Sequence, residues 1–544
     1  VVLNTKIPPD GDLYTVYDYG AYKLIYIAGY DFGPLLNSIL VSLAVTAIVI
    51  PLSMFTAIAT LSMDRGRWLI GYLIPLIASI PMPFLSAYAV IHIFHRDYGF
   101  LNQLLGLLGS GYRVAVDGIA GVAIYQVIHF YPLSHLLLLS YAENIDRSML
   151  DASSNLGGRV WATVYRILIP LMRPAMIAVA SLVFILSLED LVGPIAFSRH
   201  NYARNLISYQ AYFGFISEYG YQVSPRIVAY VLIMVAISIA ILLIFYRYLV
   251  SSRFGVISAR MIYIDASGLW ASIVRILATG LLTISLVPNL LVLMYSFTEG
   301  WFSKPLPGFI GFDNYISVFT TPYYYRAVIN TLIYTSISSS LIMVLGYMAS
   351  YISMRYRGVQ ALIVEILSIA PLVIPGVAVG IAYYQMFHSI FRGSWLDPVY
   401  LPWIYLLATY TVRRMPYMVR PVEASLQRIP RSYEEASENL GSSPFRTMWG
   451  IGFPMSFTSI RAGHAISSIQ VATEVSTSLI LVGSISVSAS HPSPITPLIA
   501  GLIVYDPQLI HRASAILVLT LAGVLTISMV VSKAISKILR ISGR

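Results

Sequence analysis

The sequence contains no cysteine. Disulfides, thiolate metal sites and cysteine nucleophiles are therefore excluded. Charge is scarce as well: Asp, Glu, Lys and Arg together make up 11% of the 544 residues. Lysine occurs at five positions, and at none of them does it follow a glycine. The G-x-x-x-x-G-K-[ST] loop that cradles nucleotide phosphates is thus missing, and the chain itself is not expected to bind or hydrolyse ATP. No cleavable signal peptide is visible at the start. The formal charge of +10 would suit a nucleic-acid partner. The positive residues, however, lie in short loops between apolar runs, so membrane topology explains them first and no nucleic-acid partner is expected.

What the chain has in quantity is apolar surface: 57% of its residues are hydrophobic and the mean hydropathy is +0.75. A soluble protein of this size could not bury so much, so the expected class is an all-α, polytopic membrane protein in contact with the lipid bilayer. Apolar runs long enough to cross fall near 37–63, 68–95, 117–142, 172–195, 226–249, 271–297, 327–354, 361–391, 400–424, 456–483 and 512–536. That predicts eleven spans. With the N-terminus outside, the inner segments hold 22 of the Lys and Arg residues and the outer ones 11. The excess predicts an external N-terminus, a cytoplasmic C-terminus and a plasma-membrane location.

Two polar stretches interrupt this pattern, "LDASSNLG" from Leu150 and "YEEASENLG" from Tyr433. Aligning Gly157 with Gly441 gives an offset of 284, and many landmarks keep it. Pro132 pairs with Pro416, Arg147 with Arg431, Ser148 with Ser432, Asp151 with Glu435, Ala152 with Ala436, Ser153 with Ser437, Asn155 with Asn439 and Pro170 with Pro454. Further out the register drifts to 293, where "NSILVSLAV" from Asn37 matches "NTLIYTSIS" from Asn330. The chain therefore reads as two parallel copies of one membrane unit. The division is an external N-terminal segment, 1–36, a first half, 37–255, and a second half, 256–544. The second copy has one span more, 271–297, whose counterpart would precede Val1.

Each polar stretch reads as a short helix. Ser148 and Ser432 are the expected N-caps, acids occupy the first turns, and Gly157 and Gly441 suit a left-handed C-terminal position. A second helical stretch follows and ends at "ILIP" (Ile167–Pro170) or "IGFP" (Ile451–Pro454). Two short helices held together make a peg, and a peg in each half suits docking of two copies of a partner.

The spacing resembles the EAA motif of ABC importer permeases: Glu-Ala-Ala, three residues, Gly, nine residues, Ile, one residue, Leu-Pro. Asp151-Ala152-Ser153, Gly157, Ile167 and Ile169-Pro170 fit it, as do Glu435-Ala436-Ser437, Gly441, Ile451 and Phe453-Pro454. Asp replaces Glu in the first copy, Ser replaces the second Ala in both, and Ile or Phe replaces Leu. The stretch Pro416–Pro454 and the run "PLVIPGVAVGI" from Pro371, echoed by "PLIASIPMPFL" from Pro75, are similar to the ferric-iron, thiamine and phosphonate branch of that family. The resemblance implies a fused two-half permease without enzymatic activity or cofactor. It also implies two ATP-binding subunits docked on cytoplasmic coupling helices, and an external substrate-binding protein that delivers a small solute, ferric iron first among the candidates. The outer tyrosines Tyr202, Tyr209, Tyr212, Tyr219, Tyr221 and Tyr323–Tyr325 suit either a protein interface or a membrane-surface belt.

Carboxylates inside a span are costly and need a reason. Glu189 and Asp190 fall in the span after the first peg and Glu474 in the equivalent span after the second. Asp190 follows Gly157, and Glu474 follows Gly441, by the same 33 residues. Such a pair could line a translocation path for a cation, or could cap broken helices. The stretch "EVST" at Glu474 also resembles a Glu-Leu-Pro-Ala-Thr stretch of the iron and thiamine branch. His129, His135, His388 and His464 show no metal-ligand spacing and are expected to pack between helices, so no metal site is expected. Arg420 and Arg431, in the basic run after the second half's fourth span, are read as topology signals with ATPase contact as the functional alternative. Two other classes compete. An ion-coupled secondary carrier would use the acids directly but leaves the peg spacing unexplained. A haem oxidoreductase would need facing histidine pairs.

Overall fold

The computed structural model describes residues 14–19, 22–63, 66–143, 145–217, 224–251, 263–264, 266, 268–301, 307–483 and 493–542. Tyr219 and Tyr221 lie outside them, as do the first thirteen residues of the expected external segment. So do Lys6, Arg65, Arg253, Arg260, Lys304 and Arg544, which entered the orientation count.

The protein is a polytopic, mainly helical membrane protein. Among the described residues, seven helices are long and apolar enough to cross a bilayer: Pro34–Leu61, Gly118–Glu143, Val160–Ala196, Pro225–Ile244, Leu269–Ser296, Pro322–Arg355 and Pro507–Leu539. The pair Phe457–Ala472 and Ser476–Val482 makes an eighth, bent by 45° at its break. The other three expected spans are divided. The run 68–95 becomes Leu69–Ala78 and Leu85–Ile93, 361–391 becomes Val359–Ile369 and Gly376–Phe391, and 400–424 becomes Pro402–Arg414 and Pro416–Leu426.

Proline explains these breaks. It removes a ladder donor and its ring crowds the carbonyl four residues earlier. In the first divided run the freed carbonyls are met by a side chain from another span. Asn289 Nδ2 donates to the carbonyls of Ile77 at 2.8 Å, Ala78 at 3.4 Å and Ile80 at 3.4 Å. In a bilayer core such a side-chain donor takes the place of the bulk water that would otherwise meet the freed carbonyls. A second device recurs three times. Wide π-turns occupy Leu69–Leu73, Val164–Leu168 and Met448–Gly452, and each is followed, two residues past its end, by a proline: Pro75, Pro170 and Pro454. The wider turn absorbs the missing bond without a break.

Packing divides the chain into two compact units, Val1–Gly214 with Val223–Phe309, and Phe215–Gln222 with Ile310–Arg544. In the first unit the helices Pro34–Leu61, Gly118–Glu143 and Ile169–Glu189 pack on one another. Small and hydroxylated residues at their contacts allow close approach where lipid supplies no hydrophobic drive. Thr56 Oγ1 meets His135 Nδ1 at 2.9 Å, and His135 Nε2 meets the Gly71 carbonyl at 3.0 Å. His135 is thus a packing residue, as expected. A small sheet joins this unit, with Tyr14–Asp18 antiparallel to Lys23–Ile27 and Lys23–Ile27 parallel to Tyr112–Val116. Beside it Asp31 accepts bonds from Gly33 N (2.9 Å), Asn37 Nδ2 (2.7 Å) and Asn205 Nδ2 (2.6 Å). Burial opposes its ionisation, but these bonds outweigh burial and hold the carboxyl below its ordinary range.

The helix pair Leu269–Ser285 and Val287–Ser296 also packs in the first unit. Arg275 Nε donates to Ser62 Oγ at 3.3 Å, Asn289 reaches the break described above, and Tyr295 Oη bonds His92 Nδ1. Sequence order sets this segment at the head of the second copy, whereas packing sets it with the first.

In the second unit Pro322–Arg355 is the central helix. Tyr347 Oη donates to the Met448 carbonyl of the π-turn at 2.6 Å, within a cluster that includes Tyr351, Trp449 and Phe453. His464 bridges two helices, with Nδ1 2.9 Å from Ser528 Oγ and Nε2 3.2 Å from Ser339 Oγ.

Candidate functional site: two pegs and two acids at helix breaks

The two polar stretches fold alike. The first is the helix Arg147–Asn155 and the second the helix Ser432–Asn439. Short helices at Val160–Thr163 and Pro444–Thr447 follow, then the π-turns, all but the first pair at the 284-residue offset. Both pegs end the same way. Gly157 (φ 77°) and Gly441 (φ 89°) are left-handed. The N–H of the next residue bonds back to a peg serine carbonyl, Gly158 to Ser153 at 2.9 Å and Ser442 to Ser437 at 3.1 Å. This is a Schellman closure, which requires the glycine. Across each corner the same serine meets a threonine: Ser153 Oγ to Thr163 Oγ1 at 2.7 Å, and Thr447 Oγ1 to Ser437 Oγ at 3.2 Å. The two serines that depart from Glu-Ala-Ala thus lock each peg to the helix after it.

The N-termini differ from expectation. Ser148 N–H is capped by Asp146 Oδ1 at 2.9 Å, so Asp146 rather than Ser148 supplies the cap. Ser432 does not cap either. Arg431 enters the helix already helical (φ −61°, ψ −25°), whereas a capping residue must be extended. Of the two acids in the first turn, Glu435 is exposed and Glu434 is buried. Glu434 pairs with Arg355 Nε at 2.9 Å. Arg431 Nη2 donates to the carbonyls of Met354 and Arg355, each at 3.0 Å, and Arg420 pairs with Glu423 at 3.2 Å.

Asp151, Ala152, Glu435 and Ala436 are exposed, Ser153 and Ser437 half-buried, and Pro170 and Pro454 half-buried at the start of the next helix. The structure adds residues that the motif did not indicate. Leu156 and Leu440 are 89% and 90% exposed, and Met149 with Trp161, and Tyr433 with Phe445, are exposed beside them. All three pairs keep the 284-residue offset. Each peg thus presents a matched, exposed apolar patch. The signal was in the sequence, as apolar residues at matched places in otherwise polar stretches.

The acids within the spans sit at helix breaks. Glu189 is the last residue of Ile169–Glu189 and is half-buried. Asp190 follows it. Its Oδ1 accepts from Val192 N at 3.1 Å, and its Oδ2 from Gly193 N at 3.1 Å and Gln126 Nε2 at 2.9 Å. Glu474 occupies the bend between Phe457–Ala472 and Ser476–Val482, and its Oε1 accepts from Thr477 N at 3.2 Å and Thr477 Oγ1 at 3.0 Å. Both acids therefore cap the short helix that follows. They differ in charge compensation. Glu474, 1% exposed, is held by Arg413 Nη1 at 2.5 Å and by Arg414. Asp190 is met by neutral donors. Gly376 makes the arginine position available, since a Cβ there would fall 2.5 Å from Arg413 Nη1.

Residues 342–540 match the family described as binding-protein-dependent transport system inner membrane component. The match covers the second peg, Glu474 and both of its arginines. Across a longer stretch the chain is similar to ferric transport permeases. It is 25% identical over 468 residues to the ferric transport system permease protein FbpB of Actinobacillus pleuropneumoniae, covering 84% of this chain and 65% of that one. It is 25% identical over 439 residues to ferric transport system permease protein FbpB 1 of Haemophilus influenzae, covering 78% and 66%. The sulfate transport system permease protein CysT of Escherichia coli is 25% identical over 177 residues, 32% of this chain and 64% of CysT. The chain thus spans about two thirds of the length of the ferric permeases it matches. The permease domain and the ferric branch agree with the resemblance read from the two pegs.

Proposed function

We propose that this chain is the membrane-spanning permease of an ATP-driven importer, with two separate ATP-binding subunits docked on its two pegs. The observation that carries the reading is the duplicated peg: same closure, same serine–threonine lock, same exposed apolar triplet. ATP binding would draw the two docked subunits together and displace both pegs. Rocking of the two halves would then alternate access to a central path. The pegs and the C-terminus face the cytoplasm in this reading, and the N-terminus and outer tyrosines face the side from which a binding protein delivers cargo. Ferric iron is the cargo best supported, by the two ferric transport permeases to which most of the chain is similar.

A secondary carrier driven through Asp190 and Glu474 is the weaker reading. Glu474 is committed to two guanidiniums and to capping, and Asp190 to three donors, which suits architecture at a helix break better than a mobile ion site. The test is iron-55 uptake into proteoliposomes that hold the chain, its ATP-binding subunits and the iron-loaded binding protein. Uptake that requires internal or external ATP on the peg side supports the proposal. Uptake driven by a cation gradient without ATP rejects it.

A further inference from the structure

The two pegs are matched in backbone, but they are attached to their units differently. In the second unit Arg355, the last residue of the helix Pro322–Arg355, pairs with Glu434 at 2.9 Å, and both side chains are only 8% exposed. Arg355 Nη2 also donates to the Ile429 carbonyl at 3.1 Å, just ahead of the peg. Arg431 returns two bonds of 3.0 Å to the carbonyls of Met354 and Arg355, which the end of the long helix leaves without intrahelical partners. Each segment therefore satisfies polar groups of the other, and the ion pair between them is largely shielded from solvent. Moving one without the other would strand a charge and several backbone acceptors.

Neither partner of this pair exists in the first half. At the 284-residue offset Glu434 corresponds to Leu150, which is buried. At the 293-residue offset of the matching helices Arg355 corresponds to Ser62, just past the end of Pro34–Leu61. Among the described residues, the ion pair of Arg67 with Glu143 braces the end of the helix before the first peg.

From this joint replacement we infer that Arg355 and Glu434 are positioning residues that make the second peg and the helix Pro322–Arg355 a single lever. That helix has 34 residues. At 1.5 Å per residue it carries a displacement of the peg across roughly 50 Å. The inference rests on the pegs being the docking sites for ATP-binding subunits, and its test separates the two claims.

The complete complex is prepared in proteoliposomes with Glu434→Gln, with Arg355→Gln, and with the exchanged pair Arg355→Glu and Glu434→Arg. Iron-55 imported per ATP hydrolysed is measured alongside co-purification of the ATP-binding subunit. The single variants are expected to keep the subunit bound and hydrolysing while the iron-to-ATP ratio falls about fivefold or more, in the range of an ordinary coupling energy. The exchanged pair is expected to restore part of the ratio. Arg355→Lys, which keeps the charge and loses the second nitrogen, is expected to fold and to give an intermediate ratio. An unchanged ratio in the single variants, or loss of the subunit itself, overturns the lever. A native chain that never binds an ATP-binding subunit overturns the docking reading instead.

Discussion

Glu474 shows what a buried acid in this protein depends on. Its carboxylate lies between Arg413 and Arg414 at a bend in a membrane helix and also caps the next turn. Glu474→Gln would leave two guanidiniums facing a neutral amide, and breaking a buried pair in this way costs about 3–5 kcal/mol. Asp190→Asn keeps one of the two acceptor oxygens, sets its amide N–H against a backbone donor of Val192 or Gly193 and strands no cation, so about 1–2 kcal/mol is expected. Thermal unfolding of the two purified variants in detergent should therefore show a much larger loss for Glu474→Gln, and equal losses would refute the assignment. The pairing of Asp190 with Glu474 was legible, because both follow their peg glycine by the same 33 residues. The arginines were not. They sit 61 and 60 residues from Glu474 in sequence, in a basic run that topology already explained. The serine caps failed for a local reason too. Whether Ser432 caps depends on the backbone angles of its neighbour, and composition does not encode those angles.

The peg is the element that carries the functional reading, and its exposed leucines are its least expected feature. Leu156 and Leu440 touch little of their own chain, so Leu156→Ser and Leu440→Ser should leave the thermal stability of the isolated chain within about 0.5 kcal/mol of native. Burying a leucine in a partner's groove is worth about 1.5–3 kcal/mol, so each variant should weaken association with the ATP-binding subunit by about tenfold or more. Titration of that subunit onto immobilised chain checks it, and undiminished affinity would mean the leucines face something else. At this scale the sequence was legible where a period or a repeat spoke. Long apolar runs corresponded to the seven crossing helices and the bent eighth, and the 284-residue offset located the pegs. It was less legible where proline intervenes. A hydropathy window cannot distinguish a continuous span from one divided at Ser79–Phe84, because the residues on both sides of the break are equally apolar.

The whole molecule consists of two compact units that share one internal plan, with the segment 269–296 ahead of the second copy in sequence and in the first unit by packing. A repeat alignment orders segments along the chain, and packing follows contacts such as Arg275 with Ser62 and Asn289 with the broken run, which no alignment registers. If each peg is a separate docking site, the number of bound ATP-binding subunits per chain must follow the number of intact pegs. The mass of the detergent-solubilised complex measures this directly, for the native chain, for Gly157→Arg, for Gly441→Arg and for the double variant. Arginine at either glycine combines left-handed backbone strain with a bulky side chain on the docking surface. Two bound subunits, then one, one and none, is the expected series. A count that does not change with the pegs would contradict the account.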